Sequence, residues 1–204
     1  MRGVIIGKLP ERVWIDGAEY LINSSFRVGM QFDRIRDGEG SDEEKIMNLL
    51  KLYYPKIPIN LGEAIDKMLW FYRCGEEEKK DDDTKQRYQR RTSKEPAYSF
   101  EQDDPYIYAA FKEQYGIDLA ESDMHWWKFM ALFESLGEDT KMSKIMYYRK
   151  ASVSGMSKER RAYINEMKKL YKIMDTSSSG RKMSLEERNR KWKKYVEDRY
   201  KRMN

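Results

Sequence analysis

The sequence predicts a mainly α-helical protein with a short N-terminal β-hairpin and a basic helical C-terminal tail. Apolar residues recur at spacings of three and four along most of the chain after Ser25, a pattern typical of amphipathic helices. Residues that cap helices precede many of these runs. The clearest strand and turn signals, in contrast, lie within the first 22 residues.

The opening segment predicts the hairpin. Val4 to Leu9 has the composition of one short strand, and Arg12 to Ile15 has that of another. Asp16-Gly17 follows as a two-residue turn signal, because both residues tolerate the positive φ angles that tight hairpin turns require. Glu19 to Ile22 then predicts the returning strand.

Capping and stop signals divide the rest of the chain into helices. The first run begins at Phe26 and ends at Asp37-Gly38. Later helix starts carry a side chain that accepts a hydrogen bond from a free backbone N–H group, and they lie at Ser41 with Glu44, Asn60 with Glu63, Asp103 or Asp104 before Pro105, Ser122 or Asp123, Asp139 or Thr140, Ser157, and Ser184 with Glu187. Pro55, Gly116 and Gly137 mark helix ends.

Composition shifts divide the chain into four parts. We expect a hairpin with helices over residues 1–75, a charged flexible linker over 76–96, an aromatic-rich central helical unit over 97–155, and a basic helical tail over 156–204. The linker has almost no apolar side chain and therefore buries too little surface to offset the entropy of ordering. Residues 141–204 carry 20 Lys and Arg against 7 Asp and Glu, whereas residues 1–140 carry 20 against 28.

The sequence offers few groups for catalysis or metal binding. Cys74 is the only cysteine and His125 the only histidine, so the chain has neither an internal disulfide nor a Cys-His zinc set. Asp81-Asp82-Asp83 lies in a solvated charge run, where neighbouring carboxylates repel one another and lack a fixed geometry. The common phosphate and zinc motifs are absent. We therefore expect no enzyme activity, no metal site and no cofactor.

The aromatic and basic residues predict interaction surfaces instead. Adjacent helical residues point about 100° apart, so Trp126 and Trp127 do not both face one core. Either a neighbouring element covers Trp127 or it is an exposed interface anchor. Candidate protein-interaction residues are Trp127, Tyr147, Tyr148, Trp192, Tyr195 and Tyr200. Candidate electrostatic residues in the tail are Lys191, Lys193, Lys194, Arg199, Lys201 and Arg202.

Several sequence segments resemble the bacteriophage gene-product-fifteen family. They are LPERVWIDGAEYLINSSFRVGMQFDRI near the N-terminus, and YSFEQDDPYIYAAFKEQYGIDL with HWWKFMALFESL in the centre. The similarity spans roughly Leu9 to Tyr148, and the tail after about Gly155 is less typical of the family. Members are small proteins of tailed phages and prophages, mostly of Gram-positive hosts, and are regarded as tail assembly chaperones.

The resemblance implies a phage tail assembly chaperone that binds the tape measure protein and helps recruit tail tube subunits. The implied partners are the tape measure protein, the tail tube protein and a companion chaperone. The resemblance implies no catalytic residue in this chain. With no membrane span and no secretory signal in the sequence, we expect host cytoplasm, no membrane partner, and a chain free to form homo-oligomers. The alternatives are a nucleic-acid-binding protein that uses the basic tail, and a structural virion component.

Overall fold

The computed structural model describes residues 7–76 and 96–174. Within these residues the protein is mainly α-helical, with one two-stranded antiparallel sheet, as the sequence predicts. The elements are β1 (Arg12–Ile15), β2 (Ala18–Leu21), α1 (Phe26–Asp37), α2 (Asp42–Tyr53), α3 (Leu61–Tyr72), α4 (Asp104–Tyr115), α5 (Trp126–Glu134), α6 (Lys141–Lys150) and α7 (Lys158–Leu170). Among the described residues, no helix has the length and apolar character that a membrane-spanning segment requires.

The described residues form two compact units. Unit 1 contains residues 7–76 and 123–131, and unit 2 contains residues 96–122 and 132–174. These units differ from the predicted division of the chain. The predicted central unit includes residues 123–131 and the predicted tail includes α7, whereas in the structure residues 123–131 pack in unit 1 and α7 packs in unit 2. The remaining linker and tail residues lie outside the described part of the chain.

The hairpin of unit 1 has the predicted turn. Asp16 and Gly17 have φ angles of 47° and 73°, the positive values that a two-residue turn requires. Val13 and Ile15 point into the core, whereas Trp14 between them is 62% exposed. Of the predicted first strand, residues 7–9 are irregular and the remainder lies outside the described residues.

The helices of unit 1 enclose an aromatic core. Because every apolar stripe faces inward, Phe26, Phe32, Leu49, Leu50, Tyr53, Ile65, Met68 and Phe71 are buried. Trp126 of α5 lies against α1 where Gly29 has no side chain, and a Cβ atom at Gly29 would lie 2.2 Å from the indole ring. The Trp126 ring also stacks on Tyr72 and Phe129. Gly29 is therefore required by the close approach of the ring to the helix.

Two predicted caps of unit 1 behave differently. Ser41 and Glu44 form the full capping box at the start of α2, with both side chains bonded to backbone N–H groups. Asn60 caps α3 by accepting from Glu63 N, as predicted. The Glu63 carboxylate, however, accepts from the backbone N–H of Asp16 at 2.9 Å. It thereby joins α3 to the hairpin turn instead of closing a second box.

The start of α5 differs from the prediction. Ser122 and Asp123 were the expected caps, but the helix begins at Trp126. The Trp126 N–H donates to Ser24 O at 2.7 Å, and Asp123 accepts from the Ser25 hydroxyl. The residues before α5 are thus held by backbone pairing with the segment before α1, which prevents an earlier helical start.

Unit 2 combines α4, the end of α5, α6 and α7. Gly116 ends α4 with a φ of 67°, as a left-handed cap. Thr140 and Ser157 cap α6 and α7 by accepting from the N–H groups of Ser143 and Arg160. These local features agree with the sequence prediction. Leu170, the last residue of α7, is 66% exposed.

A buried ion pair in unit 2 replaces a predicted cap. Asp103 occupies the N-cap position of α4, but its side chain makes no capping hydrogen bond. Its two carboxylate oxygens instead accept from Arg149 of α6 at 2.6 and 2.8 Å, and both side chains are almost fully buried. The side chain of Asp103 therefore does not cap α4, because its carboxylate is paired with a side chain 46 positions away.

Candidate protein-interaction surface

An open groove between α6 and α7 is the candidate functional site. It encloses about 500 Å³, and its lining residues are Lys144, Tyr147, Tyr148, Arg160, Tyr163 and Ile164. Each helix contributes a cation followed three and four positions later by aromatic or aliphatic side chains, Tyr147 and Tyr148 in α6 and Tyr163 and Ile164 in α7. Since such positions lie on one helical face, the same short pattern on both helices forms the two walls.

The tyrosine rings of the groove are held by one another. The Tyr148 and Tyr163 hydroxyl oxygens are 3.1 Å apart and share a hydrogen bond. Their rings meet edge to face at 6.0 Å, and Tyr148 lies parallel to Tyr171 at 6.2 Å. Because of its hydrogen bond to Tyr148, the pKa of Tyr163 is raised above its ordinary value. Buried Ile164 forms the apolar floor.

The groove is both aromatic and basic. Tyr147 is 47% exposed and Tyr163 is 49% exposed, so each offers ring surface to solvent. Lys144 and Arg160 add two positive charges, and no carboxylate lines the groove. Together α6 and α7 carry nine Lys and Arg residues against two Glu. Tyr and Arg are enriched among the residues that dominate protein–protein binding energies.

Arg149 fixes the helices that form the groove. Besides its ion pair with Asp103, its guanidinium donates to Ala97 O at 3.0 Å and to Tyr171 O at 2.6 Å. Tyr171 follows α7 directly, so Arg149 ties α6 to the C-terminal end of its neighbour. Bidentate pairing of a planar guanidinium fixes geometry as well as adding energy. The groove therefore has a rigid support on its inner side.

The structure separates the sequence-predicted interaction residues into three groups. Tyr147 and Tyr148 meet in the groove. Trp127 is only 6% exposed, packs against Trp70, and donates from Nε1 to Phe71 O at 2.7 Å. A neighbouring element, α3, therefore covers Trp127, which is the first of the two alternatives. The prediction that Trp126 and Trp127 do not both face one core is wrong, because both rings are buried against α3 within unit 1. The tail candidates, namely Trp192, Tyr195, Tyr200, Lys191, Lys193, Lys194, Arg199, Lys201 and Arg202, lie outside the described residues.

Sequence reasoning missed Lys144, Arg160 and Tyr163. The signal that identifies them is a spacing that occurs once in each helix. A cation is followed three and four residues later by aromatic or aliphatic side chains. Sequence reasoning also missed Trp14, an exposed aromatic residue on the hairpin face of unit 1 that also carries Leu21 and the Arg12–Glu19 ion pair. Strand alternation predicts that one face of β1 is solvent-exposed, but it does not identify exposed aromatics as binding residues.

His125 is engaged on both ring nitrogens. Nε2 lies 2.9 Å from Pro10 O and Nδ1 accepts from the Trp127 N–H, which assigns the proton to Nε2. Partial burial lowers the pKa of the imidazole, and the bond to Pro10 offsets part of that effect. Among the residues that the structure describes, no group of three or more His, Cys, Asp or Glu side chains is arranged to hold a metal ion.

Comparison with known proteins places the chain in a family. The model of the family described as Bacteriophage Gp15 protein matches residues 5–173, which extends beyond the segment where the sequence resemblance was recognised. No curated protein and no solved structure matches the chain significantly. The match includes both described units and therefore covers the core of unit 1 and the groove of unit 2. The chain belongs to the Bacteriophage Gp15 protein family.

Proposed function

We propose that this phage protein is a tail assembly chaperone. It binds the tape measure protein and helps recruit tail tube subunits around it during tail morphogenesis in the host cytoplasm. The observation that carries the proposal is the family match over residues 5–173, since proteins of this resemblance are regarded as tail chaperones. The groove between α6 and α7 supports it by providing a surface with the composition of a protein-binding site.

The physical demands on such a chaperone agree with this surface. A long helical partner exposes apolar stripes until the tail tube surrounds it, and such stripes aggregate unless they are covered. The cover must also leave when tube subunits arrive, so many modest contacts serve better than one deeply buried interface. Half-exposed tyrosines beside cations provide contacts of that strength, and the cations make the binding sensitive to salt.

The proposal assigns the protein a binding role and no catalytic one. Catalysis by His125 would require a free ring nitrogen, and both nitrogens are bonded to backbone groups. Cys74 is buried, which keeps its thiol from substrates. The role therefore depends on surfaces that the fold leaves exposed, and not on a pocket with reactive groups.

Co-expression with the tape measure protein of the same phage tests the proposal. The expected result is a soluble complex of the two proteins after affinity purification, with the tape measure protein insoluble when expressed alone. The major tail tube protein and an unrelated coiled-coil protein serve as comparison partners. Absence of a complex in either order of expression, combined with retention on DNA that disappears on deletion of residues 156–204, would favour the nucleic-acid alternative. Recovery of the protein in purified virions at fixed stoichiometry would favour a structural component.

A further inference from the structure

We propose that the groove between α6 and α7 is the docking site for an acidic amphipathic helix of the tape measure protein. The inference rests on the proposed function and adds the surface and its recognition chemistry. The partner helix would place Asp or Glu side chains against Lys144 and Arg160, and apolar side chains against the tyrosine rings and Ile164.

Charge complementarity specifies the acidic character of the occupant. Lys144 and Arg160 lie on opposite walls, and the lining contains no carboxylate that would neutralise them. The Lys144 ammonium is 4.0 Å from Asp139, but both groups are solvent-exposed, so this pair competes weakly with a bound carboxylate. An approaching helix with carboxylates on its polar flanks meets a cation on each side. Such an arrangement fixes the register of the partner and accelerates association.

The apolar part of the groove specifies an amphipathic helix. Ile164 is buried at the floor, and Tyr147 and Tyr163 expose about half of their surface at the rims. Two walls of helical side chains with an apolar floor accept a third helix in the same way that helical grooves accept amphipathic peptides. Tyrosine supplies much of the contact area because its ring is large and it loses little conformational entropy on binding.

The ring arrangement favours a protein over a nucleic acid. Stacking on a base requires an open ring face and a row of cations along the phosphate backbone. The Tyr148 ring lies parallel to Tyr171 and nearly perpendicular to Tyr163, so it is already packed against two neighbouring rings. Only two cations line the groove itself. With only two cations beside the half-exposed rings of Tyr147 and Tyr163, the groove suits a helix with a few carboxylates better than a continuous phosphate backbone.

The test compares two charge-reversal variants of the full chain. The groove variant is Lys144→Glu with Arg160→Glu, and the control is Lys158→Glu with Arg161→Glu. The control makes the same change in net charge at exposed positions outside the lining. Three of the four positions lie in the first turn of α7 and the fourth in the first turn of α6, where an introduced carboxylate is compatible with the helix dipole. A milder variant, Lys144→Gln with Arg160→Gln, serves if the groove variant does not fold.

Affinity for the purified tape measure protein is measured at two salt concentrations. The groove variant is expected to bind at least about tenfold more weakly than wild type, and the control within about threefold of wild type. The wild-type affinity should fall with salt more steeply than that of the groove variant. Equal losses in the groove and control variants would overturn the docking site while leaving the proposed function intact. Failure of the wild type to bind the tape measure protein would overturn both.

A second binding experiment distinguishes the tape measure protein from nucleic acid as the occupant of the groove. The same three proteins are titrated with a single-stranded thymidine oligonucleotide of 20 bases. Unchanged weak retention of the oligonucleotide by the groove variant supports the inference. Selective loss of oligonucleotide binding in that variant, with its tape measure affinity preserved, would assign the groove to nucleic acid and overturn it.

Discussion

The two units differ in the kind and the exposure of their polar aromatic residues. All four tryptophans of the described chain belong to unit 1, whereas unit 2 has none and contains eight tyrosines. Trp126 and Trp127 are buried and donate from their indole N–H groups to backbone carbonyls of Tyr72 and Phe71. In unit 2, Tyr147 and Tyr163 are half exposed. Both units bury phenylalanine rings, but the indoles of Trp126 and Trp127 complete a core, whereas Tyr147 and Tyr163 give unit 2 an exposed aromatic surface.

The contacts that stabilise the interior also differ between unit 1 and unit 2. Unit 1 relies on close packing of large rings, for which a glycine in α1 makes room. Unit 2 also buries apolar side chains, but it adds the Asp103–Arg149 pair, a polar contact that is sensitive to the loss of either partner. The tryptophan distribution makes the units separable by spectroscopy. In a background where Trp192 is replaced by Phe, tryptophan fluorescence reports only on unit 1, and hydrogen exchange of α4, α6 and α7 reports on unit 2.

The largest expected effect is the loss of Arg149. Arg149→Ala leaves the Asp103 carboxylate buried without its counter-charge and removes donors from Ala97 O and Tyr171 O. Breaking a buried pair in this way typically costs about 3–5 kcal/mol. We expect hydrogen exchange in α4, α6 and α7 to accelerate strongly. The matched control Arg161→Ala, at an exposed position of α7, should change exchange little.

A second substitution sharpens the same test. Arg149→Met combined with Asp103→Leu removes both charges, so it should recover a large part of the stability that Arg149→Ala loses. Equal exchange rates in the single and double variants would show that the ion pair does not hold unit 2 together. Arg149→Ala could also lower the free energy of unfolding measured by tryptophan fluorescence by as much as it lowers the value measured by hydrogen exchange in unit 2. That result would show that the two units unfold as one.

The next largest effect is expected at Gly29. A Cβ atom there would lie 2.2 Å from the buried Trp126 ring, so Gly29→Ala must displace the ring or the helix, at a cost of about 2–3 kcal/mol. Gly62→Ala in α3 is the control, because the nearest atom would be 3.6 Å away, an ordinary contact. That variant should be neutral or stabilising by up to about 1 kcal/mol. Urea unfolding followed by tryptophan fluorescence measures both, and a stabilising Gly29→Ala would contradict the described packing.

A smaller effect compares two neighbouring tyrosines of unit 1. The Tyr54 hydroxyl donates to Ala64 O at 2.8 Å, whereas the buried Tyr53 hydroxyl has no protein partner. Tyr54→Phe should therefore cost about 1 kcal/mol, while Tyr53→Phe should be neutral or stabilising. The ring of each residue is preserved, so the pair isolates the hydroxyl contribution from packing. Equal destabilisation in urea unfolding would mean that the Tyr53 hydroxyl is bonded in solution.

The sequence predicts those parts of the fold that depend on neighbouring residues. The Asp16-Gly17 turn, the Ser41–Glu44 box and the Gly116 cap are all present, because each satisfies backbone groups within one turn of the chain. The apolar periodicity likewise predicts the helices, since burial follows the helical repeat. These features require no knowledge of how distant segments meet.

The contacts that sequence reasoning missed join residues far apart in the chain. Asp103 has the sequence context of an ordinary cap, and only the position of Arg149 makes it half of an ion pair. Gly29 is an unremarkable helical glycine until Trp126 lies against it. In the groove, Tyr148 was predicted but its partner Tyr163, 15 positions on, was not. Pairings of this kind depend on tertiary packing, which a single sequence does not reveal.

The smallest predicted effect concerns the pH dependence of unit 1. His125 accepts from the Trp127 N–H through Nδ1, so the folded protein favours the neutral ring, and burial lowers its pKa. The unfolded chain, with a pKa near the ordinary value of 6.5, then binds more protons than the folded one as the pH falls. The His125 contribution to stability is therefore complete above about pH 6.5 and is lost progressively below it.

His125→Asn provides the measurement for this effect, because an amide oxygen can still accept from the Trp127 N–H while no group titrates. The difference in urea midpoint between wild type and this variant, followed by tryptophan fluorescence, should change as the pH falls from 7.5 to 5. Taking the difference removes the opposite contribution of Asp33, whose pKa is raised by burial and which is present in both proteins. The described part of unit 2 has no histidine, so its exchange rates should lack this step after correction for intrinsic pH effects. A constant difference in midpoint across this range would mean that His125 is not held as a neutral backbone-bonded ring.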